Sequence, residues 1–254
     1  MWVISQSGSL GSTGFTNGQL YDASRPSYPD SAIEYFVSTF QLDGATRALD
    51  LGAGTGIFTR QMRSHVGAIT AVDPSAPMRE ALRTSSPGIE VREGSDVAIP
   101  LDDSSVDVVF VAQAFHWFDA PRALVEIHRV LVANGCLGLI WNERDESVHW
   151  VEQLSRAMQW DLQQPYEVGT DFTETIARGP FRDIERVTFT HSQTLSREGL
   201  LQRVLSTSYI SAMSDAQRAP LMSDVVKVVE HLEEPIALPY VTTAYSARAA
   251  SAVG

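Results

Sequence analysis

Leu49-Asp50-Leu51-Gly52-Ala53-Gly54-Thr55-Gly56 decides how this chain is read. An apolar strand ends in a carboxylate and runs into a glycine loop. Glycine holds a sharp turn without strain and lets backbone approach a ligand closely. Placed between a strand and a helix, such a loop reads as a nucleotide site. Its form is D-x-G-x-G-x-G. The dinucleotide fingerprint G-x-G-x-x-G/A would put its last small residue on Ile57. A phosphate P-loop is excluded more firmly, because no Gly-Lys-Ser/Thr follows.

Strands and helices alternate on both sides of this stretch. A helix is expected from Asp30, with Ile33, Phe36, Val37 and Phe40 at three- and four-residue spacing. The strands expected after it are Ala48–Leu51, Ala68–Val72, Ile89–Arg92, Val106–Val111 and Cys136–Trp141. Helices through Phe58, Met78 and Leu124 separate them, the last ending at Asn134-Gly135. Near-continuous apolar content in the fourth strand implies burial on both faces, as in a parallel sheet. The pattern then loosens into helical stretches at 148–163, 197–213 and 215–233. A sixth strand is expected at Ile184–Thr190 and a seventh at Tyr240–Tyr245. The fold class is α/β, a doubly wound sheet with a helical cap. Residues 1–14 read as a flexible tail. Residues 15–254 read as one domain, with a lid over 15–44 and cap elements over about 145–235.

Composition narrows the partners. The 254 residues are 44% hydrophobic and carry a net charge of −12. An acidic surface repels phosphate backbones, which argues against nucleic acid and anionic membranes. No apolar run approaches membrane-spanning length. The single cysteine, Cys136, permits no disulfide within one chain and reads as a core residue. This usage fits the cytoplasm. Scattered histidines give no metal spacing. Oligomeric state is not legible.

The glycine loop and its context resemble the class I S-adenosylmethionine (SAM) dependent methyltransferases. Gly94-Ser95-Asp96-Val97-Ala98-Ile99-Pro100-Leu101, followed by Ser105-Val106-Asp107-Val108-Val109, resembles their G-D-A-E-x-L-P and S-F-D-x-V segments. Ala114-Phe115-His116-Trp117-Phe118-Asp119 resembles the H-W-F-D variant of the small-molecule, type 11 subgroup. Tyr21 to Pro29 is similar to its Y-x-x-x-R-P-x-Y-P lead-in. The resemblance implies seven strands, six parallel and the last antiparallel. It also implies SAM as cofactor, S-adenosylhomocysteine as its product, and a small-molecule acceptor.

On this reading Gly52, Gly54 and Gly56 approach the methionine and ribose parts of the cofactor. Asp50 assists the amino group. Asp73, 21 residues after Gly52, accepts from the ribose hydroxyls, with Pro74 and Met78 beside it. Ser95, Asp96 and Val97 meet the adenine, and Gln113 the methionine part. Tyr21 and Arg25 belong to a lid, where Arg25 can pair with a carboxylate. His116 is the candidate base, or a group that positions the acceptor. Tyr28, Trp117, Trp141, Arg144 and Tyr209 are the candidate acceptor contacts, Arg144 as a carboxylate clamp. The reaction expected is methyl transfer to oxygen, with a carboxylate preferred and a hydroxyl next. Two other readings use the same loop: an NAD-dependent oxidoreductase, and a SAM-binding protein that catalyses no methylation.

Overall fold

The computed structural model describes residues 25–160 and 170–250. The expected tail, Tyr21 and the first part of the lid lie outside them. Helix α1 (Asp30–Phe40) opens the described chain and buries Ile33, Phe36 and Phe40. The stripe read from the sequence is therefore the face that packs on the sheet. There follow β1 (Arg47–Leu51), α2 (Ile57–Met62), β2 (Ala68–Val72), α3 (Ala76–Ser85), β3 (Glu90–Arg92) and β4 (Val106–Ala112). Next come α4 (Ala120–Val130), β5 (Leu131–Arg144), α5 (His149–Ala157), α6 (Thr173–Ala177) and β6 (Phe181–Leu195). The chain ends in α7 (Arg197–Leu205), α8 (Ser208–Ser211), α9 (Asp215–Val229) and β7 (Ile236–Ala249).

The seven strands form one sheet in the order β3-β2-β1-β4-β5-β7-β6. The pairs among β1 to β5 are parallel, and β7 runs antiparallel to both β5 and β6. Side chains alternate between two apolar layers. Leu49, Leu51, Val109, Val111, Leu137 and Leu139 point into one. Ala48, Val108, Phe110, Cys136 and Ile140 point into the other, under α1. Both faces are covered, which explains why β4 and the middle of β5, Cys136–Trp141, read as near-continuous apolar runs.

Several boundaries differ from the sequence reading. Helix α4 stops at Val130 rather than at Asn134-Gly135. Asn134 (φ 61°) lies inside β5, where the register against β4 shifts from Val106–Leu131 to Val108–Cys136. Strands β6 and β7 run well beyond the expected cores, because each continues pairing with the other as far as Leu195–Ile236. The helical stretch 197–213 breaks after Leu205 into α7 and α8, and 215–233 ends at Val229.

A third apolar cluster joins α5, α7, α9 and the start of β7 through Val151, Leu154, Val204, Val225, Leu238 and Tyr240. It adjoins the end of β5, since Arg144 pairs with Tyr240. The topology also fixes where a ligand enters. From β1 the chain crosses to β2 on one side, while β4 continues to β5 on the other. That reversal opens a crevice beyond the carboxyl ends of β1 and β4.

Candidate active site

The glycine loop occupies that crevice. Gly52, Gly54 and Gly56 have φ of 74°, 55° and 84°, the left-handed region that disfavours other residues. The turn is tied to β2 through Gly52 and Ala53 N–H, which donate to the Val72 carbonyl at 2.8 and 3.1 Å. A Cβ on Gly52 would stand 2.7 Å from Ala114 Cβ, so the loop after β4 packs directly on the glycine turn. A Cβ on Gly54 would meet nothing within 4 Å. The middle of the loop therefore faces open space of the kind a ligand occupies.

Two carboxylates flank the loop. Asp50 is fully buried; its Oδ2 accepts from Thr59 Oγ1 at 2.5 Å, while Oδ1 has no partner among the described residues. Burial pushes its pKa up to about 7. Asp73 closes β2 and is 7% exposed. Its Oδ2 accepts from Gly54 N–H and its Oδ1 from Ser75 N–H, both at 2.8 Å. Each oxygen keeps a further lone pair for a ligand hydroxyl. Burial raises its pKa too. An orphaned buried oxygen beside an open glycine cradle fits a ligand with a cationic amine and hydroxyls, as SAM has. Pro74 is exposed next to Asp73, and Met78 is buried one turn into α3.

The adenine segment differs in detail from expectation. Ser95 and Ala98 bridge each other in a tight turn. Asp96 Oδ2 accepts from Asp119 N–H at 2.9 Å and so anchors the start of α4. Val97 is half-buried in the same turn.

At the end of β4, Gln113 has φ 57°, a strained value for a residue with a side chain. Its N–H donates to the Ile140 carbonyl, and its Nε2 to the Asn142 carbonyl at 2.8 Å. His116 follows in a short 3-10 turn. Its Nδ1 accepts from Trp141 Nε1 at 3.3 Å, and burial pushes its pKa down to about 3. Trp117 lies against it, ring centres 4.9 Å apart, and is 48% exposed.

Two expected acceptor contacts are buried among core residues. Tyr28 is buried edge-on against Phe58, with centres 5.4 Å apart. Gln61 clasps its backbone, accepting from Tyr28 N–H and donating to its carbonyl. Trp141 is 3% exposed, stacked on Phe172 at 4.6 Å and edge-on to Tyr245. It reaches the site only through its indole N–H on His116. Arg25 Nη2 donates to the Ser206 carbonyl at 3.4 Å and so ties the N-terminal segment to the end of α7. Tyr209 donates to the Met158 carbonyl at 2.7 Å, and burial pushes its pKa up to about 12. Arg144 lies under the cap, where its Nε donates to Ser155 Oγ, its Nη2 has no hydrogen-bond partner among the described residues, and the nearby charge of Glu146 acts on it without a hydrogen bond.

Asn142 was not singled out in the sequence. It joins three elements: its carbonyl takes Gln113 Nε2, its Nδ2 donates to the Ser27 carbonyl, and its Oδ1 accepts from Thr242 Oγ1 at 2.6 Å. Among the described residues no group of three or more His, Cys, Asp or Glu could hold a metal ion. No described helix is long and apolar enough to cross a membrane.

A family model described as a methyltransferase domain matches residues 49–139, from β1 into β5. A methyltransferase-like protein of Schizosaccharomyces pombe is 36% identical over 233 residues, 89% of this chain and 91% of the relative. A malonyl-[acyl-carrier protein] O-methyltransferase of Pectobacterium atrosepticum is 37% identical over 92 residues, 36% of each chain. A solved N-methyltransferase of Haemonchus contortus, bound to phosphomonomethylethanolamine and S-adenosylhomocysteine, shares the fold. Its TM-score is 0.58 at 16% identity, over 95% of this chain and 59% of that one. These findings replace the nicotinamide reading, and the chain belongs to the class I SAM-dependent methyltransferases.

Proposed function

We propose that this chain transfers the methyl group of SAM to an oxygen of a small-molecule acceptor, and that the oxygen belongs to a carboxylate. The observation that carries the carboxylate over the hydroxyl is the state of His116. The indole N–H of Trp141 can only donate, so Nδ1 of His116 accepts and the neutral ring keeps its proton on Nε2. With a pKa pushed down to about 3, the ring is a poor base at neutral pH. A hydroxyl acceptor benefits from a base; a carboxylate is already ionised and needs none. The O-methyltransferase named among the relatives supports oxygen as the acceptor atom.

When bound, SAM supplies a sulfonium methyl already activated for displacement. The chain contributes position. The glycine loop, Asp50 and Asp73 hold the cofactor, with Pro74, Met78, the 95–97 turn and Gln113 around it. His116 Nε2–H orients the acceptor, and Trp117 walls it off from water. The H-W-F-D subgroup, a single domain with lid and cap, and a cytoplasmic location complete this reading.

The test is incubation with methyl-labelled SAM and two acceptor panels, one of aliphatic mono- and dicarboxylates, one of alcohols and phenols. Products are then treated with mild alkali. A methyl ester releases labelled methanol and a methyl ether does not. Label that stays fixed after alkali overturns the carboxylate assignment in favour of a hydroxyl.

A further inference from the structure

Two arginines sit together beneath the cap, and neither makes an ion pair with a carboxylate among the described residues. Arg144 closes β5; its Nε donates to Ser155 Oγ at 3.2 Å, and its guanidinium lies 4.2 Å from the centre of the Trp160 ring. Its Nη2 is buried with no hydrogen-bond partner among the described residues. Arg203, in α7, is 7% exposed and donates from Nε to the Tyr240 hydroxyl at 3.3 Å. Burial, and after it the nearby charge of Arg203, push the Arg144 pKa down to about 10. Elsewhere in this acidic chain some buried or half-buried arginines meet carboxylates, as in Arg79–Glu93 and Arg129–Asp103, each at 2.6 Å, while Arg248 donates to Cys136 Sγ and the Thr39 carbonyl instead. Among the described residues neither Arg144 nor Arg203 does.

Two neighbouring cations set against the apolar cluster of Leu154, Leu200 and Val204 are costly unless a negative charge joins them. A guanidinium with an unused N–H offers planar recognition of an oxyanion. The place is also suitable. Arg144 lies two residues beyond Asn142 on the same face of β5, roughly 7 Å along the strand. Asn142 itself touches Gln113 at the end of β4.

We infer that Arg144 and Arg203 form a binding site for a second, unreacted oxyanion of the acceptor, a carboxylate or a phosphate a few bonds from the methylated oxygen. The inference rests on the methyltransferase reading above and names the class of acceptor: a small molecule with two acidic ends. It makes Arg144 a specificity-determining residue rather than a catalytic one.

The experiment uses the full chain saturated with S-adenosylhomocysteine, titrated calorimetrically with glutarate, inorganic phosphate and the neutral glutaramide. Arg144→Met, Arg144→Lys and Arg203→Met are run beside it. Binding of glutarate or phosphate but not glutaramide is expected, weakened at least about tenfold in Arg144→Met and less in Arg144→Lys. Whichever anion binds identifies the group. If Arg144→Met does not fold, Arg203→Met carries the same expectation. No anion binding by the parent chain, or binding unchanged in the methionine variants, overturns the inference. So does an anion that displaces S-adenosylhomocysteine, since the arginines would then serve the cofactor. Failure of the chain to bind S-adenosylhomocysteine at all is read in the first titration, and it defeats the methyltransferase reading separately.

Discussion

At the scale of the residue, the site depends on two groups whose burial works in opposite directions. His116 is held neutral, so a base role and a donor role separate cleanly by substitution. His116→Gln keeps a side-chain N–H donor and has no titration. Its turnover is expected within about tenfold of the parent, where loss of a true general base costs about 10²–10⁴. The pH profile is expected to lack an acid limb near the ordinary histidine value. A larger loss, with SAM affinity intact, would falsify the donor assignment. Asp50 titrates the other way. Its pKa is raised to about 7, so its contribution to stability is full below the ordinary carboxylate range and is lost as pH rises through 7. Asp50→Asn is therefore expected to melt higher than the parent at about pH 8 and to lose that advantage toward about pH 4, a difference of up to a few kcal/mol. The same variant is expected to bind SAM more weakly, because Oδ1 has no partner until an amine arrives. Melting curves at both pH values, and a SAM titration, check both halves.

At the scale of the element, the β1–α2 turn was legible and its packing was not. Three glycines at alternate positions announced left-handed backbone, and all three have positive φ. Nothing in the sequence distinguished their surroundings. Gly52 is closed in by Ala114, and Gly54 is open. Gly52→Ala is expected to cost about 1–3 kcal/mol of stability, because backbone strain and the clash with Ala114 act together. Gly54→Ala is expected to cost only about 1 kcal/mol from its φ, yet to weaken S-adenosylhomocysteine at least about tenfold. Equal effects of the two on binding and on melting would mean that the open face of Gly54 is not where the cofactor lies. The cap elements were less legible than the strands. Periodicity showed helices, but not the break after Leu205, where Ser206 Oγ donates to the Arg203 carbonyl and the Ser206 carbonyl takes Arg25 from a distant segment.

At the scale of the whole molecule, seven strands in one sheet place the glycine loop, Asp73, the 95–97 turn, Gln113, His116 and Arg144 at the carboxyl ends of β1 to β5. Binding there links to global stability. At about a hundredfold excess over its Kd a ligand adds about 2.7 kcal/mol, and each kcal/mol moves Tm by about 2–4 °C in a chain of this size. S-adenosylhomocysteine is expected to produce such a shift and NADH none. Asp73→Ala is expected to abolish most of it, because on the proposed reading Asp73 is the buried acceptor of the ribose hydroxyls. A full shift in Asp73→Ala would remove the ribose assignment.

The sequence alone determined the alternation of strands and helices, the glycine turn, and the carboxylates that end β1 and follow β2. Those features are local: periodicity, backbone freedom and residue type are fixed within a few positions. Tertiary structure alone decided what each aromatic and arginine does. Trp141 and Tyr28 have the composition of pocket walls, yet the two faces of the sheet claim them for the core. Trp141 fixes the His116 tautomer from a strand 25 residues away. Arg144 and Arg203 become neighbours only because α7 brings Arg203 to the Tyr240 hydroxyl, and Tyr240 pairs with Arg144 across β7 and β5. Burial and charge pairing are properties of residues distant in the chain, and no local pattern encodes them.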